Sequence, residues 1–214
     1  MRIRIKICGI TSLEDALKAA DLGVDAVGFN FYPASPRYVA PERVGEIITR
    51  LPPFLSTVGV FVNESLEKVR EIFETLNLNY AQLHGEESPE YVSSLKKIPV
   101  IKVFRIRGGE KERVFSPYIG KVRAFLLDTY QRGRWGGTGK TFSWDTVLSW
   151  KKVGVPLIIA GGITPHNVEE LVRFLRPYGI DVCSGVERSP GVKDGELMRE
   201  LVKKVRMVEN EISG

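Results

Sequence analysis

Cys8 closes the alternating run Ile3-Arg4-Ile5-Lys6-Ile7 and is followed by Gly9-Ile10-Thr11. A thiol at a strand end, just ahead of a helix start, is where a cysteine pKa falls and the sulfur serves as base or nucleophile. The same position also suits a small buried hydrophobe. Asp128 stands in an equivalent place after Ala124–Leu127. There an acid is either held protonated by burial, ready to donate, or bonded to the backbone of the next loop. His84 ends Gln82-Leu83-His84-Gly85 and reads as a catalytic or ligand-contacting group, or as a structural hydrogen-bonding one. The other histidine, His166, falls in a first helical turn and is expected to be exposed. No second His or carboxylate follows His84 at ligand spacing, so no metal site is expected.

Arg37 lies in the proline-stiffened segment Pro33-Ala34-Ser35-Pro36-Arg37-Tyr38. Its guanidinium either grips a carboxylate through two parallel hydrogen bonds or is a solvated surface group. Gly161-Gly162 and Ser184-Gly185 each follow a short apolar run. Glycine lets backbone N–H groups approach an anion closely, and a helix beginning near Thr164 would add its positive end. Cys183 has no capped helix behind it and reads as interior packing. The long segment Thr129–Thr141 holds Gly133, Gly136, Gly137 and Gly139. Its Gly-Gly-Thr-Gly-Lys-Thr end misses the nucleotide-binding P-loop spacing by one, with Arg134 where the first glycine belongs. A glycine-hinged lid fits better.

These residues sit between elements of one repeating kind. Eight β-branched runs are legible: Ile3–Ile7, Ala26–Asn30, Thr57–Val62, Tyr80–Leu83, Val100–Phe104, Ala124–Leu127, Pro156–Ala160 and Asp181–Cys183. They recur about every 27 residues, the length of one strand–helix unit. Thr11-Ser12-Leu13-Glu14 is a capping box, Leu13, Ala16, Leu17 and Ala20 follow on one face, and Gly23 supplies a left-handed stop. Leu66, Val69, Ile72, Phe73 and Leu76 form a stripe behind the caps Asn63 or Ser65. Ser88-Pro89 and Thr164-Pro165 each set a cap before a proline. Leu197, Leu201, Val205 and Val208 give a last amphipathic helix, whereas Arg107–Pro117 is charged and barely periodic. The pattern predicts an α/β chain folded as a closed (β/α)8 TIM barrel, with a doubly wound open sheet as the alternative. In the barrel, loops after the strands carry catalysis, and loops seven and eight commonly hold phosphate.

Composition narrows the class. The 214 residues are 43% hydrophobic and 27% charged, with no linker or low-complexity tract, so residues 1–214 read as one catalytic domain. A net charge of +5, from 31 Lys+Arg against 26 Asp+Glu, suits an anionic ligand. The basic residues are interspersed with acids, which argues against nucleic acid. Two cysteines cannot make a disulfide framework. No run is long and apolar enough to span a membrane, and the N-terminus lacks a signal-peptide core, so a cytoplasmic protein is expected. Leu51-Pro52-Pro53-Phe54-Leu55 is either an exposed apolar contact or a buried connection, leaving monomer and homodimer both open.

In order along the chain stand Lys6-Ile7-Cys8-Gly9-Ile10-Thr11, Gly28-Phe29-Asn30-Phe31-Tyr32-Pro33, Gly59-Val60-Phe61-Val62-Asn63 and Gln82-Leu83-His84-Gly85-Glu86-Glu87. Leu127-Asp128, Gly136–Phe142, Ala160-Gly161-Gly162-Ile163 and Ser184-Gly185-Val186-Glu187 follow. In these the sequence resembles the phosphoribosylanthranilate isomerase family of tryptophan biosynthesis, from residue 3 to about 194. It departs at Asn30, where the family is usually apolar, and in an arginine-rich Tyr130–Trp135. The resemblance implies an Amadori rearrangement of N-phosphoribosyl anthranilate to the 1-deoxyribulose ketose. By the family pattern Asp128 is the general acid that opens the furanose ring to an iminium, and Cys8 is the base that removes the C2 proton. Arg37 would hold the anthranilate carboxylate, Gly161-Gly162 and Ser184-Gly185 the phosphate, and His84 would line the site. The iminium is its own electron sink, so no cofactor is implied. The sister reaction of histidine biosynthesis implies Asp in place of Cys8 and a second phosphate site, and Asn63-Glu64-Ser65 lacks the glycine pair for one. A phosphate-sensing barrel without turnover would not need both Cys8 and Asp128.

Overall fold

The computed structural model describes residues 2–106, 112–128, 147, 148 and 150–213, and all eight predicted runs are strands within them. They are β1 (Arg4–Cys8), β2 (Ala26–Asn30), β3 (Ser56–Phe61), β4 (Tyr80–Leu83), β5 (Val100–Arg105), β6 (Ala124–Asp128), β7 (Leu157–Ala160) and β8 (Gly179–Val182). Each is parallel to the next, and β8 returns to β1, so the sheet is a closed barrel and the open-sheet alternative falls away. Alternate strand residues divide two cores. Val58, Ile101, Val103, Ala124, Leu126, Ile158 and Ala160 fill the lumen, while Ile5, Ile7, Val27, Leu83 and Leu127 meet the surrounding helices. Both faces of a parallel sheet are thus dry, which explains the continuous apolar runs.

The helices are α1 (Leu13–Asp21), α2 (Pro41–Ile48), α3 (Leu66–Thr75), α4 (Pro89–Ser94), α5 (Val168–Leu175) and α6 (Gly195–Ser213) among the described residues. Ser65 and Ser88 cap α3 and α4 as predicted, accepting from Lys68 N and Tyr91 N. Gly23 takes its expected positive φ, 75°. Two starts differ from the sequence reading. Ser12 rather than Thr11 caps α1, because the Thr11 hydroxyl is diverted to the Gly191 carbonyl at 2.5 Å. Thr164-Pro165-His166 forms a turn closed by Thr164 N–H to Asn167 Oδ1, so α5 begins only at Val168. The helix expected to begin near Thr164 therefore starts four residues later. Between β5 and β6 the described residues hold two 3-10 turns, Glu112–Val114 and Ser116–Tyr118, in place of a regular helix. That is where periodicity fades in the sequence. The candidate lid Thr129–Thr141, with its arginine-rich Tyr130–Trp135, lies outside the described residues.

The last helix clamps the first strand. Ile3 N–H donates to Glu209, and Arg206 Nη1 donates to the Ile3 carbonyl at 2.8 Å. Leu201, Val205 and Val208 are fully buried beneath it. No helix among the described residues is long and apolar enough to cross a membrane.

Candidate active site

At the C-terminal ends of the strands opens a cavity of about 260 Å³. Cys8, Arg37, His84, Asp128, Gly161, Gly162, Ser184 and Gly185 all line it, together with Asn30, Gln82, Asp181 and Cys183. Eight positions spread over more than 170 residues of chain thus converge on one space, because each ends a strand or lies in the loop after one.

Beneath Cys8 lies a buried ion pair. The β1–β8 register sets Lys6 opposite Asp181, both side chains turn inward, and Nζ meets Oδ1 at 2.8 Å. Burial alone would pull the Lys6 ammonium down, but Asp181 and Cys8 outweigh it and hold the charge firmly. Burial, aided by negative Cys8, pushes the Asp181 carboxyl up to about 6 despite Lys6. For Cys8, a hydrogen bond from Cys183 and the Lys6 and Lys193 charges overcome burial, and the thiol lies well below its ordinary value.

Arg37 reaches the cavity on a loop tied by Asn30. Asn30 Nδ2 donates to Ser35 Oγ, Ser35 Oγ accepts from Arg37 N, and Tyr32 N–H donates to Asn30 Oδ1, at 3.1, 3.1 and 2.9 Å. Asn30 therefore shapes the loop. The Arg37 guanidinium forks onto Glu187, Nε to Oε1 at 2.8 Å and Nη2 to Oε2 at 2.6 Å. Lys193 Nζ adds 2.8 Å to Glu187 Oε1. Burial would raise the Glu187 carboxyl, but these hydrogen bonds hold it at about 2.

His84 stands between two partners, with Nε2 at 3.4 Å from Asp128 Oδ2 and Nδ1 at 3.4 Å from Gln82 Nε2. Its loop is anchored from below by the buried Lys102–Glu87 pair at 2.8 Å. Lys102 Nζ also donates to the Gly85 carbonyl, and Glu87 accepts from the N–H groups of Asn63 and Gly85. Breaking such a pair from one side costs about 3–5 kcal/mol, since the remaining charge stays in the interior.

Gly161 and Gly162 take φ of 92° and 62°, and the Ser184–Val186 turn follows β8. A Cβ on Gly185 would stand 1.8 Å from the Ile163 carbonyl, so only glycine lets loops seven and eight touch. The two glycine-bearing loops therefore share one rim of the cavity. Among the described residues, no cluster of three or more His, Cys, Asp or Glu could hold a metal ion.

Residues 5–204 match the family model described as N-(5'phosphoribosyl)anthranilate (PRA) isomerase. The chain belongs to that family. The Thermotoga neapolitana N-(5'-phosphoribosyl)anthranilate isomerase is 50% identical over 205 residues, covering 95% of this chain and 98% of that protein. The crystal structure of phosphoribosyl anthranilate isomerase from Thermotoga maritima is 42% identical with a TM-score of 0.84, covering 96% of this chain and 100% of that one. A structure of such an isomerase in complex with reduced 1-(o-carboxyphenylamino)-1-deoxyribulose 5-phosphate is 39% identical with a TM-score of 0.83, again covering 96% and 100%. As a phosphoribosylanthranilate isomerase, the chain catalyses the Amadori rearrangement of tryptophan biosynthesis.

Sequence reasoning missed the groups that surround the named ones. Lys6, Asp181, Gln82, Glu187 and Lys193 are all buried or nearly so; Lys6, Gln82 and Glu187 meet Cys8, His84 and Arg37, while Asp181 and Lys193 pair with Lys6 and Glu187 behind them. One signal was present: Lys6 and Cys8 stand two apart on a strand and so share a face.

Proposed function

We propose that Cys8 and Asp128 carry the two proton transfers of the rearrangement, in one catalytic domain spanning residues 1–214. The observation that supports this is that both line one cavity whose rim is built from the two glycine-bearing loops. Asp128 gives a proton to the furanose ring oxygen as the C1–O bond breaks, leaving an iminium on the anthranilate nitrogen. The Cys8 thiolate takes the C2 proton, and the electron pair flows into the iminium to give an enolamine, which becomes the ketone. The substrate supplies its own electron sink, so the step needs no cofactor. Gly161-Gly162 and Ser184-Gly185 amides cradle the 5-phosphate. Arg37, braced by Glu187, offers its remaining Nη1 to the anthranilate carboxylate, and His84 lines the site beside Asp128. Purified protein is expected to convert phosphoribosylanthranilate without added metal or nucleotide. Binding of the substrate without conversion would leave only a sensor.

A homodimer in the cytoplasm completes the reading. Phe54, 98% exposed on the loop leading into β3, is an apolar anchor with no cover from its own chain, whereas Leu55 beside it is buried. Sedimentation velocity is expected to give a dimer that Phe54→Glu converts to active monomer. A monomeric wild type would overturn the dimer.

A further inference from the structure

Cys183 plays no part in the proton transfers above, yet it stands beside the sulfur that carries one of them. The β1–β8 register pairs Lys6 with Asp181 and Ile7 with Val182, so Cys8, the last residue of β1, and Cys183, the first past β8, come next. Neighbouring strands run about 4.8 Å apart, within reach of a side-chain contact. Both residues line the cavity, and both are free thiols. Cys183 Sγ leans over the end of β1, only 3.1 Å from where a Cβ would stand on Gly9. Sequence alternation places Cys183 in the interior, and there it forms cavity wall rather than packing.

We propose that Cys183 is a positioning residue whose S–H donates to the Cys8 sulfur and keeps Cys8 a thiolate at the pH of catalysis. This inference rests on Cys8 being the base.

The surroundings decide which sulfur keeps the proton. Lys6 Nζ and Cys8 Sγ crowd the same face of Gly28, within 2.8 and 2.9 Å of a would-be Cβ there, so Cys8 has a buried cation at its side. Cys183 Sγ instead faces a carboxylate, Glu187 Oε1, at 3.8 Å. That oxygen already accepts from Arg37 Nε at 2.8 Å, Lys193 Nζ at 2.8 Å and Gly191 N at 3.2 Å. Toward that oxygen the Cys183 S–H is the fourth and longest donor, behind three shorter ones, and so it is the one most readily given to the Cys8 sulfur instead. Lys193 Nζ donates to the Cys183 carbonyl at 3.4 Å and toward Cys183 Sγ at 3.8 Å, but its shortest contact, 2.8 Å, is to Glu187 Oε1, which offsets its charge there. The charged groups around the two sulfurs are therefore Lys6 on β1, Asp181 on β8, Arg37 after β2, His84 after β4, and Glu187 and Lys193 on the small hairpin of β9 (Glu187–Ser189) and β10 (Val192–Lys193). The hydrogen bond to Cys8, with burial, drives the Cys183 thiol far above its ordinary value and correspondingly lowers that of Cys8. A weak S–H donor counts for more in this dry setting than it would in water.

The test follows thiolate absorbance and iodoacetamide alkylation against pH, with the alkylated peptide located by mass spectrometry. Wild type is expected to react at Cys8 while Cys183 remains a thiol. Cys183→Ala is expected to move the Cys8 midpoint up by about one unit, slowing alkylation in mild acid about tenfold. The acid limb of kcat/KM should move up by the same interval, and Cys183→Ser, whose O–H still donates, should restore most of both. An unchanged Cys8 midpoint in both variants, or first alkylation at Cys183 in wild type, would overturn the proposal. The wild-type and serine arms stand even where the alanine variant fails to fold. A midpoint that moves while the acid limb stays put supports the sulfur–sulfur hydrogen bond and removes the base role from Cys8.

Discussion

Replacing Cys8 by serine lowers turnover of phosphoribosylanthranilate by about two to four decades, the range a positioned base contributes. The substitution is close to isosteric, so the barrel keeps its fold and the cavity its shape. What changes is the anion. Around Cys8 the Cys183 hydrogen bond, Lys6 and Lys193 favour a negative sulfur, and a hydroxyl in the same place stays protonated at neutral pH. The loss should therefore fall on kcat, with substrate affinity nearly unchanged. The sign of the pH dependence follows from the same groups. A base works when deprotonated, and the Cys8 thiol is lowered, so the limb of wild-type kcat/KM that Cys8 sets falls toward acid, while the alkaline limb belongs to the general acid Asp128. Steady-state kinetics of the two proteins across pH checks both points, and a fully active serine variant would remove Cys8 from the chemistry.

Asp128→Asn is expected to cost a further-reaching step, ring opening, and again two or more decades of kcat. The amide fills the same space at the end of β6 and can still accept from His84 Nε2, now 3.4 Å from Oδ2. It has no acidic proton to give the ring oxygen. Binding should survive, because in the proposed reading Arg37 and the two glycine-bearing loops hold the substrate's carboxylate and phosphate. Equilibrium binding of a non-reacting product analogue, measured beside kcat, separates the two effects. An asparagine variant within tenfold of wild-type turnover would show that another group delivers the proton.

Much of this architecture is legible in the sequence because it depends on local pattern. A strand covered on both faces is apolar at most positions, and the eight β-branched runs announce themselves for that reason, although Lys6, Gln82, Lys102 and Asp181 interrupt them. The residues just past those runs are legible for a topological reason, since a parallel barrel sends them all to one end. Long-range competition is what stays hidden. Thr11 looks like a cap until Gly191 claims its hydroxyl, and Thr164 looks like one until Asn167 makes a turn of it. The supporting charges are hidden for the same reason. Lys6 and Asp181 are far apart in the chain, as are Arg37 and Glu187, and only closure of the ring and the return of the last hairpin bring them together.

The Lys6–Asp181 pair has a bearing on how the chain comes to its final form. Side chains in a strand alternate, so a slip of one residue between β1 and β8 would set the ammonium against Ile180 or Val182 and strand it in hydrocarbon. The pair is thus a detent that holds the last seam of the barrel in a single alignment. The same ammonium stands under the Cys8 sulfur. Assembly and the setting of the sulfur are consequently linked: a ring closed in the wrong alignment would lack one of the cations that lower the Cys8 thiol.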